Sequence, residues 1–401
     1  MRSLSLSCYR SVAGISTVRI SNRLMDVVEL LKNLVSINSV NAFYAGGPGE
    51  AACAAYIAEF WKSSGIEYHV EDALPGRPNV LARLPGKNSQ RRLLLEAHTD
   101  TVTVEGMTIP PFVPEIMQGR MYGRGSCDTK AGLAGMVLAL ERAKRERFVP
   151  HCDVFMGAIM DEEHSCLGIR HLCKSFTADA AIVAEPTELA LVVASKGVLR
   201  WRIHTRGRAA HSSKIELGVN AIHHMARLIV ALEDHHQTIQ QTVHPLLGRA
   251  TANVGLISGG VQVNFVPDSC VIEIDRRILP GESHMDILDG YRQIIANIEA
   301  SIPDASFEME PATTQEPCLD TAPDRPIVQC ASTVLRKMGM DDTLRGVAYG
   351  SDAGRLQEAG VPSILYGPGS IDQAHTADEY IEIDQVEKAH EFYYAMLREF
   401  E

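Results

Sequence analysis

Three apolar runs in the first half of the chain each stop on polar side chains that can bind metal: RRLLLEAHTD (91–100), CDVFMGAIMDEE (152–163) and DAAIVAE (179–185). Short, continuous apolar segments of this kind suit strands buried on both faces. The intervals between them carry helical spacing. MDVVELLKNLVSI repeats apolar residues at Val28, Leu31, Leu34 and Val35, residues 50–64 continue as a second helix, and TKAGLAGMVLALERAKR (129–145) is a small-residue helix, with another turn of helix expected over 167–175. A further short strand is expected over 78–84. Alternating strand and helix predicts an α/β fold, a mainly parallel mixed sheet sandwiched by helices. Ligands of such sheets gather at the carboxyl ends of the strands. Four polar clusters fall there: His98 to Asp100, Asp128, Asp161 to Glu163, and Glu185.

The rhythm changes near residue 196. KGVLRWRIHTRGRAAHSS alternates like a half-exposed strand and a helix follows over 216–236. Strands over 251–258 and 269–277, a helix over 283–302 and a strand near 305–310 complete the segment. Strand-helix-strand-strand-helix-strand is the ferredoxin-like α+β order. The expected organisation is therefore an N-terminal extension (1–24), a first part of the main domain (25–196), an inserted domain (197–311) and the return of the main domain (312–401).

The chain of 401 residues carries 38 basic and 50 acidic side chains, a formal charge of −12. That balance argues against nucleic acid as the main partner, since phosphate contacts need clustered Lys and Arg. The longest apolar runs are too short to span a bilayer, so no membrane segment is expected. Nine cysteines, scattered and without a Cys-x-x-Cys pair, argue against a disulfide framework and against a thiolate-held zinc, and point to a reducing cytoplasm. Residues 1–24 are rich in Ser and Arg and free of acids, yet lack the apolar run of a secretory signal. A transit peptide and a disordered extension or over-long start, with Met25 opening the folded part, both remain open.

Any metal must then be held by His, Asp and Glu. His98-x-Asp100 places two side chains on one side of a strand, where His98 binds and Asp100 orients its ring; a capped strand end would look the same. In GRGSCDTKAG the spacing of a phosphate-binding loop is absent, which leaves Asp128 either as a helix cap or as a carboxylate bridging two metals. Asp161, Glu162 and Glu163 repel one another directly after an apolar strand, a costly arrangement unless a cation neutralises it. Adjacent Glu162 and Glu163 can divide labour, one taking a proton from an activated water while the other binds metal. Glu185 and His375 complete five borderline-to-hard donors suited to zinc, cobalt or manganese. Cys127 and Cys166 read as packing residues, because neighbouring carboxylates raise a thiol's pKa.

The motifs EAHTDTV, GRGSCDTKAG, MDEEHSCLG, AEPT, RGRAAHSS, DRRILPGE, YGSDAGRL and HTADEY occur in this order over Met25–Glu401. In them the chain resembles the two-zinc amidohydrolases and metallopeptidases that include acetylornithine deacetylase, succinyl-diaminopimelate desuccinylase, aminoacylase and glutamate carboxypeptidase. The resemblance implies a zinc-peptidase-like catalytic domain carrying an inserted lid and dimerisation domain, and two Zn2+ per subunit, with Co2+ or Mn2+ as substitutes. It implies that His98 and Glu185 hold one ion, Glu163 and His375 the other, with Asp128 between them. Glu162 becomes the general base and later the acid, and Asp100 orients His98. His211 polarises the substrate carbonyl, reaching the site from the partner subunit in dimeric relatives. Arg277 grips a substrate carboxylate, with Asn264 a neighbouring polar contact and Arg276 the second choice. The implied activity is hydrolysis of the amide of an N-acyl amino acid, as in acetylornithine deacetylase or the desuccinylase, within amino-acid biosynthesis. The alternative is a metallo-carboxypeptidase or dipeptidase. A metal-dead scaffold relative is disfavoured because all five ligands and the base are present. The inserted domain has a spare helix and an edge strand, so a homodimer joined through it is expected, in the cytoplasm that the cysteine usage suggests.

Overall fold

The computed structural model describes residues 25–401, and the expectations for residues 1–24 lie outside the described residues. The largest sheet has the strand order Glu67–Leu74, Arg77–Leu84, Cys152–Ile159, Asn88–His98, Ala180–Val183, Ser363–Leu365, Leu191–Ser195 and Leu319–Asp320, with Leu344–Val347 also beside Leu191–Ser195. Cys152–Ile159, Asn88–His98, Ala180–Val183 and Ser363–Leu365 run parallel, as the continuous apolar runs required. The first two strands pair antiparallel with each other, and the second of them, Arg77–Leu84, pairs antiparallel with Cys152–Ile159. Glu67–Leu74 escaped the sequence reading because it is an exposed edge strand of polar composition.

Strand parity decides which side chain meets which layer. Leu93, Leu95 and Ala97 face a core built with the helices Val27–Val35, Ala51–Ser64, Lys130–Arg145, Pro326–Lys337 and Ile383–Glu399. Leu94 faces a second, smaller core with Leu167–Leu172 and Asp352–Glu358. Glu96 and His98 share the parity of Leu94, so the strand that looks uniformly apolar delivers its polar end to the second layer.

The first helix begins where Asp26 accepts a hydrogen bond from the Glu29 amide (2.8 Å). Gly367 follows the short strand Ser363–Leu365, and a Cβ there would come within 2.5 Å of the Glu185 carbonyl oxygen. Its lack of a side chain lets the returning chain lie against the Glu185 backbone.

A second sheet has the order Thr251–Gly259, Ser269–Ile278, Gly197–Arg206, Phe307–Met309, with Thr314–Glu316 along the other end of Gly197–Arg206. All its pairs are antiparallel, and the first and third strands in space flank Ser269–Ile278, the ferredoxin-like arrangement. The helices Ala221–Ile239 and His284–Ser301 cover one face around Trp201, Ile203, Ile272, Ile274 and Tyr291. The opposite face carries cross-strand ion pairs, Arg200 with Asp275 (2.7 Å) and Arg202 with Glu273 (3.0 Å). The helix expected over 216–236 starts later, at Ala221, because Asn220 accepts from the His223 amide and caps it. Among the described residues no helix is long and apolar enough to cross a membrane.

Candidate metal centre

His98 ends its strand almost completely enclosed, with 2% of its surface exposed. Its Nδ1 lies 3.0 Å from the Asp100 carbonyl oxygen, to which only a protonated Nδ1 can donate. That contact turns Nε2 toward Asp128, whose Oδ1 is 3.0 Å away. The Asp100 carboxylate is farther from the ring, at 3.6 Å. Asp100 thus orients His98 through its main chain, while its carboxylate accepts the amides of Glu162 and Glu163 (both 3.1 Å) and the Asn41 side chain (2.7 Å).

Asp128 owes its position to a residue the sequence reading passed over. The buried Glu379 carboxylate accepts the amides of Gly125 (3.0 Å), Cys127 (2.9 Å) and Asp128 (3.1 Å) and the Arg124 guanidinium (2.6 Å). The loop therefore wraps around Glu379, and Thr129 rather than Asp128 is the cap residue of helix Lys130–Arg145. Freed from capping, Asp128 sets Oδ1 toward His98 and Oδ2 toward His375 Nε2 (3.2 Å). His375 Nε2 is also 3.2 Å from Glu163 Oε1.

Two groups with metal-ligand geometry result, His98–Asp128–Glu185 and Asp128–Glu163–His375, and Asp128 belongs to both. In each group the donor atoms lie within 4.8 Å of one another. Glu185 Oε1 is buried without a hydrogen-bond partner among the described residues, a costly state that a cation would relieve. Imidazole and carboxylate donors without thiolate suit zinc, cobalt or manganese, so the side chains fit a pair of divalent ions.

The three consecutive acids part company. Asp161 turns away to Arg77 (2.8 Å), Asn41 (2.9 Å) and the Ser165 hydroxyl, which hold its carboxyl below the usual range against the cost of burial. Its neutralising partner is thus a guanidinium and not a metal. Glu163 points to His375, and Glu162 lies beside Cys166 and Asp352, which form a third close group with it. Asp161 and His375 both adopt the left-handed backbone region (φ 69° and 60°), conformations that non-glycine residues keep only where surroundings impose them.

Electrostatics follow from burial and crowding. Burial, then the charge of Glu185, pushes the Glu162 carboxyl well above its ordinary value, and burial with Asp128 does the same to Glu185. Burial works against the charged form of His375, but its hydrogen bonds to Asp128 and Glu163 raise it to about 10. Burial opposes ionisation of Asp128 too, yet both imidazoles hold it far below the carboxylate range. Asp352 and Glu96, buried with all four carboxylate oxygens lacking hydrogen-bond partners among the described residues, had no assigned role in the sequence reading. Burial drives the first to about 7 and the second upward. Asp352 sits inside YGSDAGRL and Glu379 inside HTADEY, so their motifs were visible but their duties were not. Burial also pushes the Cys127 and Cys166 thiols well up, in line with packing.

The remaining candidates lie in the second sheet. His211 is exposed, with Nδ1 2.8 Å from Ser213 Oγ, and the Asn264 carbonyl accepts the Ser212 amide (3.0 Å). These two are brought together, but among the described residues neither belongs to a metal-ligand group. Arg277 is partly exposed, its Nε donating to Asp275 (2.9 Å). Its neighbour Arg276 points to the opposite face, buried against Glu282, so of the pair only Arg277 offers an accessible guanidinium.

Comparison with known proteins agrees with this geometry. Residues 94–399 match the model of peptidase family M20/M25/M40. An acetylornithine deacetylase of Vibrio atlanticus (strain LGP32) is 30% identical over 375 residues, 91% of this chain and 96% of its own. Aminopeptidase PepT from Bacillus cereus shares the fold with a TM-score of 0.77 at 24% identity, covering 93% of this chain and 98% of its own. The YxeP protein of Bacillus subtilis, described as a dinuclear metal-binding peptidase, superposes with a TM-score of 0.71 at 16% identity over 92% of this chain and 96% of its own.

Proposed function

The chain belongs to peptidase family M20/M25/M40 and is a metal-dependent hydrolase of linear amide bonds, and on that premise we propose that it removes the acyl group from an N-acyl amino acid. The observation that carries the reading is Asp128, whose two carboxylate oxygens face His98 and His375 from the centre of two three-residue donor sets. His98, Asp128 and Glu185 would hold one divalent ion, and Asp128, Glu163 and His375 the other, zinc being our choice with cobalt or manganese as substitutes. Such a pair, when bound, polarises a carbonyl and acidifies a water molecule.

Glu162 stands beside these donors with a carboxyl already biased toward the protonated form. It would accept a proton at its carboxylate during attack and return it to the leaving amine. The Asp100 carboxylate, through the two amides it accepts, keeps Glu162 and Glu163 on separate courses. Arg277 would hold the carboxylate of the amino-acid half, with Asn264 beside the cleft. Arg276 is a supporting group of the small sheet. An acetyl or succinyl group is the acyl part we favour, as in the acetylornithine deacetylases to which the chain is similar. The same centre would cleave a dipeptide or a C-terminal residue, since those substrates present the same carboxylate to Arg277.

Residues 197–311 would form an inserted lid and dimerisation domain between the two parts of the catalytic domain, 25–196 and 312–401. Its edge strand Thr251–Gly259 exposes Leu256 and Ile257, and nearby Val261 and Val263 are also exposed, a surface suited to a second copy of the chain. His211 would then meet the partner's centre and steady the developing oxyanion. The eight free cysteines among the described residues support a cytoplasmic setting. The test is a hydrolysis screen of N-acetyl and N-succinyl amino acids and dipeptides with zinc or cobalt added. Release of the free amino acid from an acylated substrate is expected. Cleavage of dipeptides alone would replace the deacylase reading, and no cleavage of any amide would end both.

A further inference from the structure

The segment after Glu163 turns back on itself. The Asp161 carbonyl accepts the amides of Ser165 (3.2 Å) and Cys166 (2.7 Å), and Cys166 holds a left-handed backbone (φ 52°). A residue with a side chain keeps that conformation only where its surroundings impose it. The turn brings the buried Cys166 side chain back beside Glu162, whose main-chain carbonyl accepts from the thiol (3.6 Å). With its proton directed there, the sulfur keeps its lone pairs for another partner.

Across from it stands Asp352, the first residue of helix Asp352–Glu358. It is fully buried, and neither carboxylate oxygen has a hydrogen-bond partner among the described residues. One ligand atom from each of Glu162, Cys166 and Asp352 lies within 4.8 Å of the other two. Glu96, also buried with both oxygens unpartnered among the described residues, lies in the field of Asp352. A buried carboxylate without hydrogen bonds or a counter-charge is costly, and a cation offsets that cost. This set shares no residue with the two donor groups around Asp128. Its chemistry differs as well, since it holds a sulfur and no imidazole.

We propose that Glu162, Cys166 and Asp352 form a third metal site, which takes a thiophilic divalent ion of the zinc and cadmium class when such ions are in excess and thereby withdraws Glu162 from proton transfer. Two carboxylates and a thiolate suit that class better than they suit manganese or magnesium. Binding breaks the S–H bond of Cys166: the sulfur keeps the electron pair and donates it to the ion, and the proton leaves to solvent. Burial makes that proton hard to remove, so the site fills after the two-ion centre. Binding itself is independent of the deacylase reading, whereas its effect on turnover rests on Glu162 being the proton carrier.

The experiment dialyses wild-type protein, Cys166→Ser and Asp352→Asn against cadmium chloride at rising concentration. Elemental analysis counts the bound ions, and absorbance follows the ultraviolet charge-transfer band of cadmium bound to thiolate. Wild-type protein should take up a third ion per chain as the band grows. Cys166→Ser should lose that ion and its share of the band, and Asp352→Asn should need about 100-fold more cadmium to gain them. Melting curves check that both near-isosteric variants fold. In a second arm, excess zinc should lower wild-type hydrolysis of an N-acyl amino acid by about 10²-fold, the share that a general base supplies. Cys166→Ser should keep, in excess zinc, the rate it shows without it. Two ions per chain at every cadmium concentration, or a band that Cys166→Ser leaves unchanged, overturns the site. A third ion bound without loss of turnover overturns its hold on Glu162. Failure of the two-ion protein on every amide instead removes the deacylase reading, with the ion count and the band still deciding the site.

Discussion

His98 and His375 face opposite oxygens of one Asp128 carboxylate, yet they live in different surroundings. His98 closes a buried strand and its ring is fixed by a main-chain carbonyl. His375 sits on a loop, with 48% of its side chain exposed and its backbone left-handed. The deep half of the centre is built by the sheet, and the shallow half is brought in by a returning segment whose carboxylate anchor, Glu379, also shapes the Asp128 loop. Similar donor atoms thus come with unequal solvent access. An ion in the deep half is expected to leave slowly, and one in the shallow half to be the exchangeable one.

The largest effect expected tests whether Glu162, the proposed proton-handling residue, stands apart from both halves. Glu162→Ala should reduce turnover by about 10²- to 10⁴-fold while elemental analysis finds the wild-type metal content. Loss of metal equal to that of Glu163→Ala would merge the two roles. Next comes the contrast itself. His375→Ala should bind one ion and weaken the other by roughly 10- to 100-fold, whereas His98→Ala should lose the slowly released ion, read as the phases of chelator-driven metal release. Two identical phases in wild-type protein would erase the difference between the halves.

Arg277→Ala addresses the substrate end. KM for substrates with a free carboxylate should rise about tenfold or more, with their amidated counterparts changed far less, because the guanidinium's charge-assisted contact is the part removed. Equal changes for both would take Arg277 out of the cleft.

The smallest effect is a pH dependence of the metal-free protein. Asp100 and Asp352 are raised by burial to about 7, so the folded state holds their protons longer than the unfolded state, and stability falls as pH rises from about 4 to 7. His375, raised to about 10, contributes fully below about 6.5 and loses its contribution as pH climbs toward 10. Both run in the same direction, so the melting temperature after chelation should decline between pH 5 and 9. Added zinc should flatten that slope, since the cation replaces the protons as the neutralising charge. A melting temperature that climbs with pH would contradict the burial argument.

Much of this centre was legible before any coordinates. His98, Asp128, Glu163, Glu185 and His375 stood out because each ends an apolar strand or sits in an ordered motif, and the fold brings these five donors together. Asn41, Glu96, Asp352 and Glu379 did not stand out. Each acts through contacts with residues 59 to 255 positions away or through an absence of contacts, neither of which local spacing reveals. Arg276 and Arg277 were ranked on their motif. Their separation to opposite faces follows from strand parity, but which face was the buried one depended on the helices packed above it.

Periodicity alone sufficed for the α/β class, because burial on both faces and helical amphipathy are written locally in residue order. Packing alone decided that Asp128 is freed from capping by Glu379, that Asp161 pairs with an arginine, and that one imidazole is enclosed while the other meets water. Those outcomes depend on which distant segments fill the space around a side chain, and chain order does not encode that distance.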